Sequence, residues 1–202
     1  MYRLFYDYET NGDILFLLID PEAKVHHTKK VGNVVVLYDE NERVVGANLF
    51  EVSNVAKIHS RGALFAPSEK LLAAINPWLV NAGIPALSVE KSSGFKVFQI
   101  TKLEEHPLEE HSRIVTLSDG EKKYSTVSSF SALKEGDKVV GAIDGCILGD
   151  GTLFHAKEMR HIPVDVQLMS AKDLRIGEED DEAFHPEGYA LGEDFFLTEG
   201  KK

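Results

Sequence analysis

Phe95-Lys-Val-Phe-Gln-Ile-Thr101 and Ile114-Val-Thr-Leu117, the latter stopping at Ser118-Asp-Gly120, are the stretches whose reading decides the fold. The first places apolar residues at alternate positions. The second ends at an Asp-Gly pair that tolerates the positive φ of a tight connection, so two strands and a turn are predicted. Between them, Glu104-Glu-His-Pro-Leu-Glu-Glu-His111 carries a proline that removes a ladder donor and a run of charge that favours solvent. A loop at the mouth of a barrel is predicted there. Downstream come Lys122-Lys-Tyr-Ser-Thr-Val127, a serine-rich connector, Lys138-Val-Val-Gly-Ala-Ile143, and Cys146-Ile-Leu148 ending at Gly149-Asp-Gly151. Short strands at regular spacing, punctuated by glycine, predict a small closed barrel rather than a helical domain.

His106-Pro107, Gly120, Gly136 before Lys138-Val139, Ala142, Gly145, Gly151, Lys157, Arg160 and Ser170 through Leu174 follow one another in an ungapped order. Together they resemble the tRNA-binding OB-fold domain, a module found as a stand-alone dimeric protein, appended to methionyl-tRNA synthetase, and in the β chain of bacterial phenylalanyl-tRNA synthetase. More narrowly, the whole chain resembles bacterial cytosolic proteins that join a small N-terminal domain of unknown function to this module. The likeness covers about eighty residues well and the preceding stretch more loosely. The order, not any single motif, carries it.

The departures fall in the loops. After His-Pro the family usually has Asn-Ala-Asp-Lys-Leu, where this chain has Leu108-Glu-Glu-His-Ser112, so His111 beside two acids replaces a lysine. Ser129-Phe-Ser-Ala132 stands where the family has Gly-Ala-Pro-Asn. Arg160 is kept, but His161-Ile-Pro-Val-Asp-Val-Gln167 follows it in place of a Ser-x-Gly-Met segment. Fold transfers across such changes more readily than activity.

The 202 residues, 43% of them hydrophobic, suffice for two small domains that each bury a core. Arg3 to Tyr8, a turn at Glu9-Thr-Asn-Gly-Asp13, and Ile14 to Ile19 read as a hairpin; Asn33 to Tyr38 and Arg43 to Phe50 read as a second. Ser68 caps a predicted helix whose Leu71, Leu72 and Ile75 form one apolar face, with Pro77 expected to kink or divide it and Gly83 to close it. The expected organisation is an α+β domain over 1–90, an all-β OB-fold barrel over 91–175, and an acidic extension over 176–202 that packs on the barrel or on a partner. The boundary lies in Glu90-Lys-Ser-Ser-Gly94, whose composition suits a linker.

Met1 opens on a strand-like run without the charged and apolar regions of a signal peptide. Ile14 to Ile19, the longest apolar run, falls far short of the about 20 residues that cross a bilayer. The single cysteine, Cys146, precludes an internal disulfide and a zinc framework. A cytoplasmic protein without a membrane partner is expected.

The net charge of -11 argues against a free nucleic-acid binder, yet it is unevenly spread. Residues 95–175 hold 11 Lys and Arg against 13 Asp and Glu, whereas 176–202 hold 9 acids against Lys201 and Lys202. The barrel is therefore nearly neutral and has the means for one basic stripe: Lys122, Lys123, Lys157, Arg160, Lys172 and Arg175, with Arg113 near the mouth. The resemblance implies tRNA or another structured RNA as partner, homodimerisation, no cofactor, and an RNA-binding set of Arg160, Lys157, Lys122, Lys123, His111, Arg113, His106 and Lys172. Phe95, Phe98, Tyr124 and Phe130 are candidate stacking platforms, with core packing as their ordinary role.

Catalysis is not expected. His106-Pro-Leu-Glu-Glu-His111 has the residue types of a zinc-hydrolase helix, but its histidines are five apart with a proline inside, and one helical face needs four. Gly145 to Gly151 lacks the Lys-Ser/Thr ending of a phosphate loop. The alternative to RNA binding is a protein-interaction module that keeps the OB fold, which the acidic loop and the tail favour.

Overall fold

The computed structural model describes residues 1–197; Lys201 and Lys202 of the acidic extension lie outside the described residues. The chain is mostly β and divides into two compact units. The first comprises residues 1–91 and 149–153, the second the rest.

The first unit is built from β1 (Arg3–Tyr6), the single-turn helix α1 (Tyr8–Asn11), β2 (Ile14–Leu18), β3 (His27–Val31), β4 (Val34–Tyr38), β5 (Val44–Phe50), β6 (Gly62–Leu64) and α2 (Glu69–Asn81). Its six strands form one sheet in the order β3-β4-β5-β2-β1-β6. Both predicted hairpins are present, β1 pairing antiparallel with β2 and β4 with β5. Two strands escape a reading by periodicity. One is β3, whose Thr28, Lys29 and Lys30 are exposed on a sheet edge; the other is the three-residue β6. Ser68 caps α2 by accepting from the Leu71 N–H at 3.2 Å. Pro77 lies inside α2 without dividing it. The lost hydrogen bond is offset by packing, because Leu72, Ile75 and Leu79 bury in the core formed by Leu4, Leu15, Leu17, Val36, Ala47 and Leu49. The Asn76 side chain also ties down the outgoing chain, donating to the Leu87 carbonyl at 2.9 Å and accepting from its N–H at 2.8 Å.

The second unit carries β7 (Phe95–Glu105), β8 (Arg113–Ser118), β9 (Lys123–Ser128), β10 (Lys138–Ile143), β11 (Cys146–Ile147), β12 (Leu153–Phe154, its first residue grouped with the other unit), β13 (Lys157–Met159), β14 (Ile162–Val164) and β15 (Val166–Leu168). Five of these form an antiparallel sheet, β15-β10-β7-β8-β9. Its two outer strands meet again. The Asp165 N–H, just before β15, donates to the Ser125 carbonyl of β9 at 2.8 Å, and the Thr126 hydroxyl donates to the Val166 carbonyl at 2.5 Å. The sheet is thereby curled almost closed around Phe98, Ile100, Val115, Leu117, Val139, Val166 and Leu168.

Both faces of the first half of β7 are buried. Phe98 and Ile100 point into the curled sheet, while Phe95 meets Phe196 edge to face at 5.4 Å. β8 pairs with β7 only from Gln99 onward. On that side the chain end takes over: Val97 N–H donates to the Glu193 carbonyl, Gly192 N–H to the Val97 carbonyl and Phe195 N–H to the Phe95 carbonyl. Asp194 fixes this segment by accepting from Ser92 Oγ, Ser93 N–H and Ser93 Oγ.

Candidate nucleic-acid interface

The segment 106–112 leaves β7 at Glu105 and enters β8 at Arg113. His106 is buried, and its Nδ1 accepts from the N–H groups of Leu108 at 3.2 Å and Glu109 at 3.0 Å. The ring thus does what an aspartate or asparagine does in an Asx turn, accepting two and three residues downstream. With Nδ1 as acceptor, the neutral ring carries its proton on Nε2, which is buried without a hydrogen-bond partner among the described residues. The His106 N–H donates to the Ser112 carbonyl at 3.0 Å and closes the loop. His106 is therefore a post inside the loop. His111 lies at its tip, exposed, at φ 68°.

Arg160 and His161 form the two-residue connection between β13 and β14, whose last pair is Met159 with Ile162. Both have positive φ, 52° and 68°. A hairpin of this kind selects asparagine or glycine because a Cβ is strained there, and here an arginine and a histidine occupy it. The Arg160 Nε lies 3.5 Å from Glu109 Oε1, so the hairpin tip meets the 106–112 loop. His161 is almost wholly exposed, with its Nδ1 3.3 Å from Glu158. Arg113 donates to the Leu133 carbonyl at 3.3 Å and pairs with Glu105 at 3.7 Å.

The structure brings His106, His111, Arg113 and Arg160 to one end of the curled sheet and leaves Lys122 and Lys123 at the other. Arg113 opens β8 and Ser118 closes it, five residue steps or roughly 17 Å along the strand. Lys122 follows in the turn beyond Ser118, and Lys123 opens β9 opposite Ser118. That turn is built on Asp119, which accepts from the N–H groups of Glu121 and Lys122 and from the Tyr124 hydroxyl. Burial works against the Asp119 charge, but the Lys122 N–H, the Tyr124 hydroxyl, the Glu121 N–H and nearby Lys96 together hold its carboxyl below the ordinary range. Burial and the same hydrogen bond push the Tyr124 hydroxyl up to about 12. Lys157, exposed, opens β13. Lys172 lies against the acidic segment, its Nζ 2.6 Å from Asp180 Oδ2.

Of the four aromatic candidates two are closed to stacking, while Tyr124 and Phe130 stay partly exposed. Phe95 and Phe98 are fully buried, Tyr124 packs edge to face on Phe98 at 5.2 Å, and Phe130 packs on the core. Among the described residues no group of three His, Cys, Asp or Glu side chains is arranged to hold a metal ion. No helix there is long and apolar enough to cross a membrane. His161, which the sequence-derived candidate set leaves out, shares the hairpin tip with Arg160. The signal available was the even spacing of Lys157-Glu-Met159 and Ile162-Pro-Val164 about a two-residue gap.

Residues 21–87 match a family model described as a domain of unknown function (DUF4479). Over 175 residues, 85% of this chain and 87% of the relative, the sequence is 29% identical to "Putative tRNA-binding protein YtpR" of Bacillus subtilis (strain 168). The chain is similar to that protein along most of its length. A further 84-residue match, 36% identical and covering 42% of this chain, is to the phenylalanine–tRNA ligase beta subunit of Leptospira interrogans serogroup Icterohaemorrhagiae serovar Lai (strain 56601). It spans only 10% of that subunit. The crystal structure of a MetRS related protein from Pyrococcus horikoshii superposes on 48% of this chain and 84% of its own, at 15% identity and a TM-score of 0.34, too slight a likeness to bear on the fold.

Proposed function

We propose that the second unit is an OB-fold barrel that binds tRNA or another structured RNA without catalysis, in a cytoplasmic protein whose residues 1–90 form an attached α+β domain. What carries this reading is the similarity, over 85% of the chain, to a protein named for tRNA binding. The turns lend support. In the second unit every described non-glycine residue at positive φ is basic or histidine: His111, Arg160, His161 and Arg175. Such positions cost on the order of 1 kcal/mol or more each and persist where a side chain must be held in one place.

In this reading Arg160 meets a phosphate with its guanidinium fork, and Lys157, Lys122 and Lys123 add point charges. His111 adds charge when protonated, and Arg113 and Lys172 contribute once released from Glu105 and Asp180. His106 shapes the loop from within. Because an A-form duplex hides its base edges, recognition rests on shape and phosphate positions. Titration of the purified protein with total tRNA at low salt tests the proposal: saturable binding supports it, and no binding removes it in favour of a protein partner.

A further inference from the structure

We infer that Glu109 is a built-in competitor for phosphate on Arg160, held at the guanidinium in the free protein and displaced when RNA binds. The inference rests on the RNA-binding reading above and adds the device that sets its affinity.

Two long side chains meeting on a surface ordinarily carry little meaning, because each gives up freedom to hold the contact. Here both backbones are fixed. The Glu109 N–H is taken by His106 Nδ1 at 3.0 Å, and the Glu109 carbonyl accepts from Ser112 N–H at 3.3 Å. The loop that carries it is closed by the His106 N–H on the Ser112 carbonyl. Arg160 sits in a two-residue turn pinned by the Met159 to Ile162 pair and strained at φ 52°. The Glu109 side chain is 31% exposed and reaches Arg160 Nε at 3.5 Å. Its neighbour Glu110 is exposed and makes no ion pair among the described residues. The loop therefore directs one of two adjacent carboxylates at the arginine.

A carboxylate and a phosphate offer a guanidinium the same kind of oxygen pair. RNA must consequently exchange with Glu109 rather than add to a bare cation, and the released carboxylate then faces the incoming phosphate. Both effects lower affinity, and the exchange favours a ligand that presents phosphate in the fixed position of Arg160. His106 acts here as a positioning residue, through Glu109.

Total tRNA is titrated by filter binding at fixed low salt into the unaltered protein, Glu109→Gln, Glu110→Gln, Arg160→Ala and the double variant Glu109→Gln/Arg160→Ala. The neighbour variant removes the same charge without touching the pair. Glu109→Gln is expected to tighten binding by about two- to fivefold, the range an exposed ion pair supports, and to lose that gain in the Arg160→Ala background. Glu110→Gln should give a smaller gain. Equal gains from the two glutamates, or a Glu109→Gln gain that survives removal of Arg160, would reduce the effect to net charge and overturn the inference while leaving RNA binding intact. Absence of binding by the unaltered protein would instead remove the RNA reading, and this inference with it. In the free protein, the Arg160 Nε–Hε resonance should shift in Glu109→Gln and stay in place in Glu110→Gln; the reverse contradicts the contact.

Discussion

Lys172 Nζ lies 2.6 Å from Asp180 Oδ2, and Asp180 also accepts from the Ser170 hydroxyl at 3.3 Å. A candidate RNA-binding cation is thus paired with the acidic segment of its own chain, both side chains staying more than half exposed. The hydrogen bond to Asp180, and then its charge, raise the Lys172 ammonium above 10.5; the same hydrogen bond lowers the Asp180 carboxyl below 3.8. A raised lysine stabilises the contact fully below its ordinary value and loses this as pH rises through the raised one. A lowered aspartate does so above its ordinary value and loses it as pH falls through the lowered one.

The contact should therefore be insensitive to pH across the neutral range. Protection of the Lys172 amide, whose N–H donates to the Glu179 carbonyl at 3.0 Å, is expected to stay constant relative to intrinsic exchange from about pH 5 to pH 10 and to fall below about pH 4. Asp180→Asn should bring the lowered protection to neutral pH. Protection unchanged by that substitution would show that the pair does not hold the segment.

His106→Ala removes the acceptor for two loop N–H groups and should lower stability by about 1–3 kcal/mol, read from the urea midpoint. His106→Asn, whose carbonyl oxygen accepts in an Asx turn, should recover part of the loss. Equal losses in both variants would argue that the ring acts by its bulk alone.

Much of the fold could be read from the chain because local chemistry and global packing agree there. The alternation of Phe95 to Thr101, the Asp-Gly turn at 119–120 and the Ser68 cap each specify their element within a few residues. What could not be read is non-local. β3 shows no apolar alternation because it lies at an edge, and α2 runs through Pro77 because buried side chains on either side outweigh one missing hydrogen bond. At the candidate site Arg160 was legible as a kept residue. Its pairing with Glu109 was not, because 51 positions separate them in the chain, and the burial of His106 was hidden by its polar neighbours. The Arg160-His161 connection lacks the asparagine and glycine that normally announce such a turn.

Asp119→Ala should destabilise the second unit by about 1–3 kcal/mol, since it strips the turn N–H groups and the Tyr124 hydroxyl of their acceptor. Because the Asp119 carboxyl is held below 3.8, its contribution is present above that pH and lost as pH falls through its lowered value. The difference in denaturation midpoint between the unaltered protein and the variant should narrow below about pH 4. A difference constant with pH would assign the effect to packing.

Gly141 lies where two strands and a ring converge: a Cβ there would stand 2.3 Å from Val166 Cγ1 and 3.2 Å from Phe98 Cε2. Gly141→Ala should cost about 1–3 kcal/mol by overpacking, measured by urea denaturation. A neutral outcome would mean that β10 and β15 approach less closely than described.

The most direct test of the account is the salt dependence of tRNA binding, compared between the unaltered protein and Arg160→Ala. If Arg160 neutralises a phosphate, log affinity should fall linearly with log salt, and the variant should bind more weakly with a slope shallower by about one. Superimposable plots would contradict the placement of the interface at Arg160, and no binding at the lowest salt would contradict the RNA-binding account as a whole.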